Sequence, residues 1–98
     1  MSEEFCIMPP NCLYQTKRFY GSERHEVFEG RTGNRKKSIE DGLVVFLTPE
    51  QHRTGKHAIH KDYDYWLKVK KIAEKTWCEY YNKTPDDFRQ RYGRNFLD

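Results

Sequence analysis

No stretch of this sequence is long and apolar enough to form a membrane-spanning helix, which needs about 20 consecutive apolar residues. Cysteine is scarce: there are three, and none has the Cys-x-x-Cys spacing. An odd cysteine count in a chain without a signal peptide predicts a reducing compartment and no disulfide framework. We therefore expect a cytoplasmic protein without a membrane partner.

Apolar residues are few for a self-contained domain: 36% of the 98 residues are hydrophobic and 34% are charged. No repeat of domain scale and no linker is present, so the length predicts one small domain. Such a domain is marginally stable alone, and a metal or a partner supplies the missing stability in many small domains. The net charge is only +3, but the basic residues are clustered, a pattern that fits a phosphate backbone and a solvated protein surface equally well.

Two segments predict β-strands. Residues 23–28 alternate polar and apolar, which places His25 and Val27 on one face and Glu26 and Phe28 on the other. Residues 43–47 (LVVFL) are the stronger strand prediction, since all five are apolar. We expect these strands to pair antiparallel, with one helical turn at residues 36–41, ended by Gly42, in the polar loop between them.

Three segments predict helices. TPEQ at residues 48–51 has the capping-box pattern and starts a short helix that carries His52. A long helix is expected at residues 62–81, and TPDD at 84–87 starts a last helix through Tyr92. One face of the long helix carries an aromatic stripe that we expect to be core. Lys70 lies inside this face, so its ammonium must either extend to solvent or meet a phosphate or carboxylate. The stripe consists of Tyr63, Trp66, Ala73, Trp77, Tyr80 and Tyr81.

All four histidines lie within residues 25–60. Neutral imidazoles bind borderline divalent metals, and three protein ligands with an open position are typical of a catalytic site. His25, His52 and His60 are the predicted set, with His57 as a competing third ligand. The spacing alone favours a metal site no more than structural roles for these side chains.

Several motifs together resemble HNH (ββα-metal) nucleases, and in particular the phage recombination-enhancement (RecA-dependent) nuclease-like proteins. They are RHEVFEG at residues 24–30, GNRKKS at 33–38, GLVVFLTPEQH at 42–52, IH at 59–60 and the tail at 88–97. The resemblance implies an α+β fold with a ββα-metal core, a two-stranded hairpin plus a short helix, at about residues 12–61. A long amphipathic helix and a short C-terminal helix at residues 62–98 would support that core within a single domain.

The resemblance also implies roles for individual residues. His25, His52 and His60 match the metal-binding positions, and Asn34 resembles the central Asn. Glu26 stands where these nucleases usually place the histidine that acts as general base. Because a carboxylate near pKa 4.3 is a weaker base than imidazole, three outcomes stay open: Glu26 is the base, His57 replaces it, or hydrolysis is weak or absent. The predicted DNA-backbone contacts are Arg35, Lys36, Lys37 and Arg53.

The implied function is a phage or prophage endonuclease of a bacterial host that cleaves DNA phosphodiester bonds. It would use one divalent ion (Zn²⁺, Mg²⁺ or Mn²⁺) and show low sequence specificity. An alternative is a catalytically weak or inactive HNH-fold protein that acts as an adaptor or inhibitor on a host or recombination protein or on nucleic acid. A third interpretation is a domain that zinc merely stabilises.

Overall fold

The computed structural model describes residues 4–29, 33–55 and 58–97. In chain order these residues form six elements: β1 (Glu23–Glu26), α1 (Asn34–Asp41), β2 (Val44–Leu47), a π-helical turn (Glu50–Thr54), α2 (Tyr63–Tyr81) and α3 (Pro85–Tyr92). The predicted α+β class is confirmed at this level, as a two-stranded antiparallel hairpin plus helices. No helix among the described residues is long and apolar enough to cross a bilayer.

The hairpin pairs His25 opposite Val45, and every residue of β2 is buried. The predicted first strand is wrong at its C-terminal end, because β1 stops at Glu26. Val27 and Phe28, which follow the strand, are both buried. The Val27 N–H donates to the Leu43 carbonyl, and the chain then turns under α1 into the core.

Helix α1 is longer than the single turn predicted for residues 36–41. It runs over eight residues, from Asn34 to Asp41. Gly42 ends it with φ 78°, a left-handed conformation that glycine adopts without strain. A Cβ at this position would lie 3.0 Å from Phe5 Cε2 and 3.1 Å from the Ile7 nitrogen. Glycine is therefore required both by the backbone angle and by the lack of space.

Helix α2 has the predicted bounds, and Asp62 caps it by accepting from the amides of Asp64 and Tyr65. Its predicted aromatic core stripe is wrong in part. Tyr63 and Tyr80 are 64% and 59% exposed, because each lies in a terminal turn of the helix. The buried face is formed instead by Val69, Lys70, Ala73, Glu74 and Trp77.

Helix α3 begins at the predicted capping box, in which Thr84 and Asp87 bond each other's backbone amides, and it ends at Gly93. Its Phe88 and Tyr92 rings stack at 4.6 Å, and Phe28 packs against both. The core thus joins the hairpin to α2 and α3. Its buried members are Met8, Cys12, Val27, Phe28, Leu43, Val45, Leu47, Ile59, Val69, Ala73, Trp77, Phe88, Tyr92 and Phe96.

A buried carboxylate ties α1 to the two C-terminal helices. Asp41 Oδ2 accepts from Trp77 Nε1 at 2.9 Å, Arg91 Nε at 2.6 Å and the Tyr92 hydroxyl at 2.6 Å. Its Oδ1 accepts from Arg91 Nη2 at 2.9 Å. Burial and the contact with Asp41 raise the pKa of Tyr92, so its hydroxyl stays a donor. We call Asp41, Trp77, Arg91 and Tyr92 the Asp41 cluster.

Candidate metal centre

Three imidazoles converge beside the hairpin. The ring centroids of His25 and His52 lie 5.2 Å apart, those of His25 and His60 5.2 Å, and those of His52 and His60 4.7 Å. One ring nitrogen from each lies within 4.8 Å of the other two. The predicted convergence of His25, His52 and His60 is therefore observed. Among the described residues, no other group of three histidines, cysteines or carboxylates comes together in this way.

A π-helical turn places His52. The predicted capping box precedes it: the Thr48 amide donates to Gln51 Oε1 at 3.0 Å, and the Gln51 amide donates to Thr48 Oγ1 at 3.1 Å. The turn closes with the Gly55 amide on the Glu50 carbonyl at 2.7 Å, a five-residue step. Such π turns are rare and occur frequently at functional sites.

His60 reaches the other two rings because the loop after the π turn folds back. The Ile59 amide donates to the Gln51 carbonyl at 2.7 Å, and Ala58 and Ile59 are both buried. These contacts anchor the chain immediately before His60, which is itself exposed. His57, predicted as a competing ligand or base, lies outside the described residues.

The protonation states of the rings suit cation binding. Burial, followed by the neighbouring His52 and His60, lowers the pKa of His25 to about 3. Burial also lowers the pKa of His60. Both rings are therefore neutral near pH 7, and the neutral ring is the form that binds a metal.

Glu23 orients His52. Its Oε1 lies 2.9 Å from His52 Nδ1, and because a carboxylate accepts, Nδ1 carries the proton and Nε2 is left as the ligand atom. The hydrogen bond with His52 is the main cause that lowers the pKa of Glu23, and Arg53 binds the same carboxylate. Sequence reasoning missed Glu23, although the two-residue period of a strand places it on the same face as His25.

Glu26 lines the same cleft, with both carboxylate oxygens engaged. Arg24 Nε donates to Oε2 at 2.9 Å, and Arg35 Nε lies 3.4 Å from Oε1. Arg35 is well exposed and stands at the rim of the cleft. The base role of Glu26 stays a prediction, now with two guanidinium groups competing for its lone pairs.

Other predicted site residues point elsewhere. Asn34 Nδ2 donates to the Tyr92 carbonyl at 3.0 Å, and Lys37 Nζ donates to the Arg91 carbonyl at 2.8 Å. Both side chains tie α1 to α3, and neither lines the cleft. Lys36 is exposed. Of the predicted DNA contacts, Arg35 and Arg53 are the two whose side chains pair with carboxylates beside the histidines.

The cleft has a volume of ≈ 160 Å³ and is lined by Arg24, His25, Glu26, Glu29, Arg35, His52 and His60. Three imidazole ligands fit Zn²⁺ and similar borderline cations, whereas Mg²⁺ prefers oxygen ligands in an octahedral set. Cys12, a weaker candidate ligand, is buried and bonds the Tyr14 carbonyl. Of the three predicted ions, the donor set favours zinc.

Comparison of the chain with protein-family models, curated proteins and solved structures finds no match. The interpretation of the cleft therefore depends on its own residues.

Proposed function

We propose that this protein is a metal-dependent DNA endonuclease built on a ββα-metal HNH core. The observation that carries the proposal is the meeting of His25, His52 and His60, with one nitrogen of each within 4.8 Å of the others. His25 lies on the first strand of the hairpin, His52 in the helical turn after the second strand, and His60 in the segment after that turn. This is the order that the resemblance to HNH nucleases implies.

The three imidazoles would hold one divalent cation. Such an ion supplies Lewis acidity at a scissile phosphate and stabilises a leaving oxygen. Glu23 keeps His52 in the tautomer that presents Nε2, and the low pKa of His25 keeps that ring neutral. These features prepare the cleft before any substrate arrives.

Arginines at the cleft rim provide the contacts for DNA. The side chains of Arg35 and Arg53 are 68% and 64% exposed, so each can reach a phosphate without unfolding any element. Contacts of this kind position a DNA backbone and do not read bases. The proposal therefore includes low sequence specificity and an affinity that falls as salt rises.

Glu26 and His57 remain the two proposed general bases. For Glu26, the Arg35 pair at 3.4 Å is longer than the Arg24 pair at 2.9 Å. We propose that a DNA phosphate draws Arg35 away from Oε1, which frees that oxygen to accept a proton from water. Asn34 orients water in this scheme only if its amide leaves the Tyr92 carbonyl.

Two observations favour the alternative, a weak or inactive HNH-fold adaptor or inhibitor. Both oxygens of Glu26 are engaged by arginines, and several rings are exposed for a partner, namely Tyr20, Tyr63 and Tyr80. In this alternative the partner, a host or recombination protein, binds equally well to His52→Ala.

Cleavage of supercoiled plasmid in Mg²⁺, Mn²⁺ or Zn²⁺ tests the proposal. We expect nicking in at least one metal, loss of nicking with chelator and in His52→Ala, and retention in Glu79→Gln, a matched surface control on α2. The circular dichroism of His52→Ala should remain native. Absence of nicking in every metal, or full activity of His52→Ala, contradicts the proposal.

A further inference from the structure

Glu29 lines the histidine cleft, and its two carboxylate oxygens have different surroundings. Oε1 accepts from Trp66 Nε1 at 3.2 Å and from Lys70 Nζ at 3.3 Å. Oε2 is buried and has no hydrogen-bond partner among the described residues. Buried polar atoms are nearly always paired in proteins, so this oxygen needs a donor.

Helix α2 fixes the orientation of this carboxylate. Lys70 is 3% exposed, and its Nζ also donates to the Val27 carbonyl. The ammonium lies 4.5 Å from the centroid of the Trp66 ring and 5.0 Å from that of Phe28. Because Trp66 and Lys70, both on α2, hold Oε1, the fold and not the solvent determines the position of Oε2.

We infer that Glu29 Oε2 accepts a hydrogen bond from a water molecule coordinated by the cation at His25, His52 and His60. This inference rests on the proposed metal site and adds a positioning residue to it. Direct ligation is disfavoured, because the donor atoms that lie close to one another are the three histidines alone. A coordinated water extends the reach of the cation and, being polarised, is a strong donor to a carboxylate.

Glu26, the other glutamate of the cleft, does not offer this contact. Both of its oxygens already face guanidinium groups, from Arg24 and Arg35. Glu29 is thus the glutamate of this cleft with a buried oxygen that no described residue pairs. The resemblance to HNH nucleases gives position 29 no role.

The test is Glu29→Gln with Co²⁺ as the probe. The Gln carbonyl can keep the Trp66 and Lys70 bonds, while its NH₂ takes the place of Oε2 and cannot accept. We expect Co²⁺ affinity to fall about 10–100-fold and the visible absorption of the bound Co²⁺ to shift. Glu26→Gln is the charge-matched control and should show a clearly smaller fall with an unshifted spectrum.

Two results overturn the inference: equal losses in Glu29→Gln and Glu26→Gln, which indicate charge alone, or no change in Glu29→Gln. A wild-type protein that binds no Co²⁺ contradicts the proposed metal site itself, so the two failures are distinguishable. Thermal unfolding of the metal-free variants controls for folding.

If Glu29→Gln fails to fold, the double variant Glu29→Gln/Lys70→Met is tested in its place. It removes both charges of the Glu29–Lys70 pair. Lys70→Met alone then serves as the control, because it keeps the carboxylate. The double variant should bind Co²⁺ about 10–100-fold more weakly than Lys70→Met. Equal affinities of these two variants overturn the inference.

Discussion

The molecule contains two polar clusters of opposite character. In the Asp41 cluster, both carboxylate oxygens accept from indole, guanidinium or hydroxyl donors. In the histidine cleft, three rings turn ligand atoms toward one another, and the described part of the chain offers the buried Glu29 Oε2 no hydrogen-bond partner. A polar network whose members satisfy one another holds elements together. A cluster with unused ligand atoms and acceptors is arranged for something that the chain does not itself supply.

Cavity volume alone would have indicated the Asp41 cluster, and not the histidine cleft, as the functional site. The hollow beside the Asp41 cluster has a volume of ≈ 530 Å³ and the histidine cleft ≈ 160 Å³. The larger hollow is lined by groups that are already paired, including Lys37 and Arg91. Chemistry therefore identifies the site better than volume does.

His60→Ala should weaken metal binding in the cleft and leave the fold intact. His60 is exposed, so its loss costs little packing, but it removes one of three ligands. We expect the Zn²⁺ or Co²⁺ affinity to fall by at least about 100-fold, more than is typical for partners outside the ligand set. Isothermal titration measures the affinity, and urea unfolding without metal should give a free energy close to that of the wild type. An unchanged affinity would exclude His60 as a ligand.

Asp41→Asn should lower the stability of the fold and leave metal binding nearly unchanged. Because Arg91 donates to both carboxylate oxygens, the NH₂ of Asn would face a guanidinium donor in either orientation, and we expect a loss of about 3 kcal/mol in the free energy of unfolding. Metal affinity of the folded variant, measured at low temperature, should remain within a few-fold of the wild type. If metal affinity falls with stability, the two clusters are not independent and the comparison fails.

The low pKa of His25 makes stability of the metal-free protein dependent on pH. In the unfolded chain this ring titrates near 6.5, and in the folded protein at about 3, so below pH 6.5 the unfolded state binds the extra proton. Stability is complete above about pH 6.5 and is lost as pH falls toward 3. Between pH 7 and 5 the expected loss is about 2 kcal/mol.

Urea unfolding at several pH values, with chelator present, measures this slope. His25→Gln should remove most of it. His60→Ala should retain most of it, because burial, the main cause of the low His25 pKa, remains. A wild-type stability that is flat from pH 7 to 5 would contradict the buried, neutral state of His25.

We expect the smallest change in stability from substitutions in the two capping boxes. The two threonines form a matched pair, because each caps a helical segment in the same way. Thr48→Ala and Thr84→Ala should each cost about 1 kcal/mol of stability. Thr48 supports the turn that carries His52, whereas Thr84 starts α3 far along the chain from the histidines. Only Thr48→Ala should also weaken metal binding, as measured by titration. Equal affinities in the two variants would show that the π turn keeps its shape without its cap.

Local signals predicted much of this fold. Both capping boxes, the strand at β2 and the bounds of α2 follow from residues adjacent in sequence. The end of β1 at Glu26 and the full length of α1 do not, because the Ser38 hydroxyl and the Leu43 carbonyl decide where the chain turns. Such contacts are tertiary and produce no periodic pattern in the sequence.

The candidate site shows the same division. His25, His52 and His60 could be named in advance because few residue types bind metals through nitrogen. Glu29 and its partner Trp66 could not, since the link between them spans 37 positions and depends on how α2 packs. A carboxylate was one of the predicted partners of Lys70, and Glu29 is the carboxylate that pairs with it.

Anomalous diffraction from crystals grown with Zn²⁺ tests the central claim most directly. One peak is expected in the cleft, about 2.0–2.1 Å from a ring nitrogen of each of His25, His52 and His60. A cleft without a peak at saturating Zn²⁺, or a zinc ion bound only by other side chains, would contradict the metal site and the nuclease proposal with it.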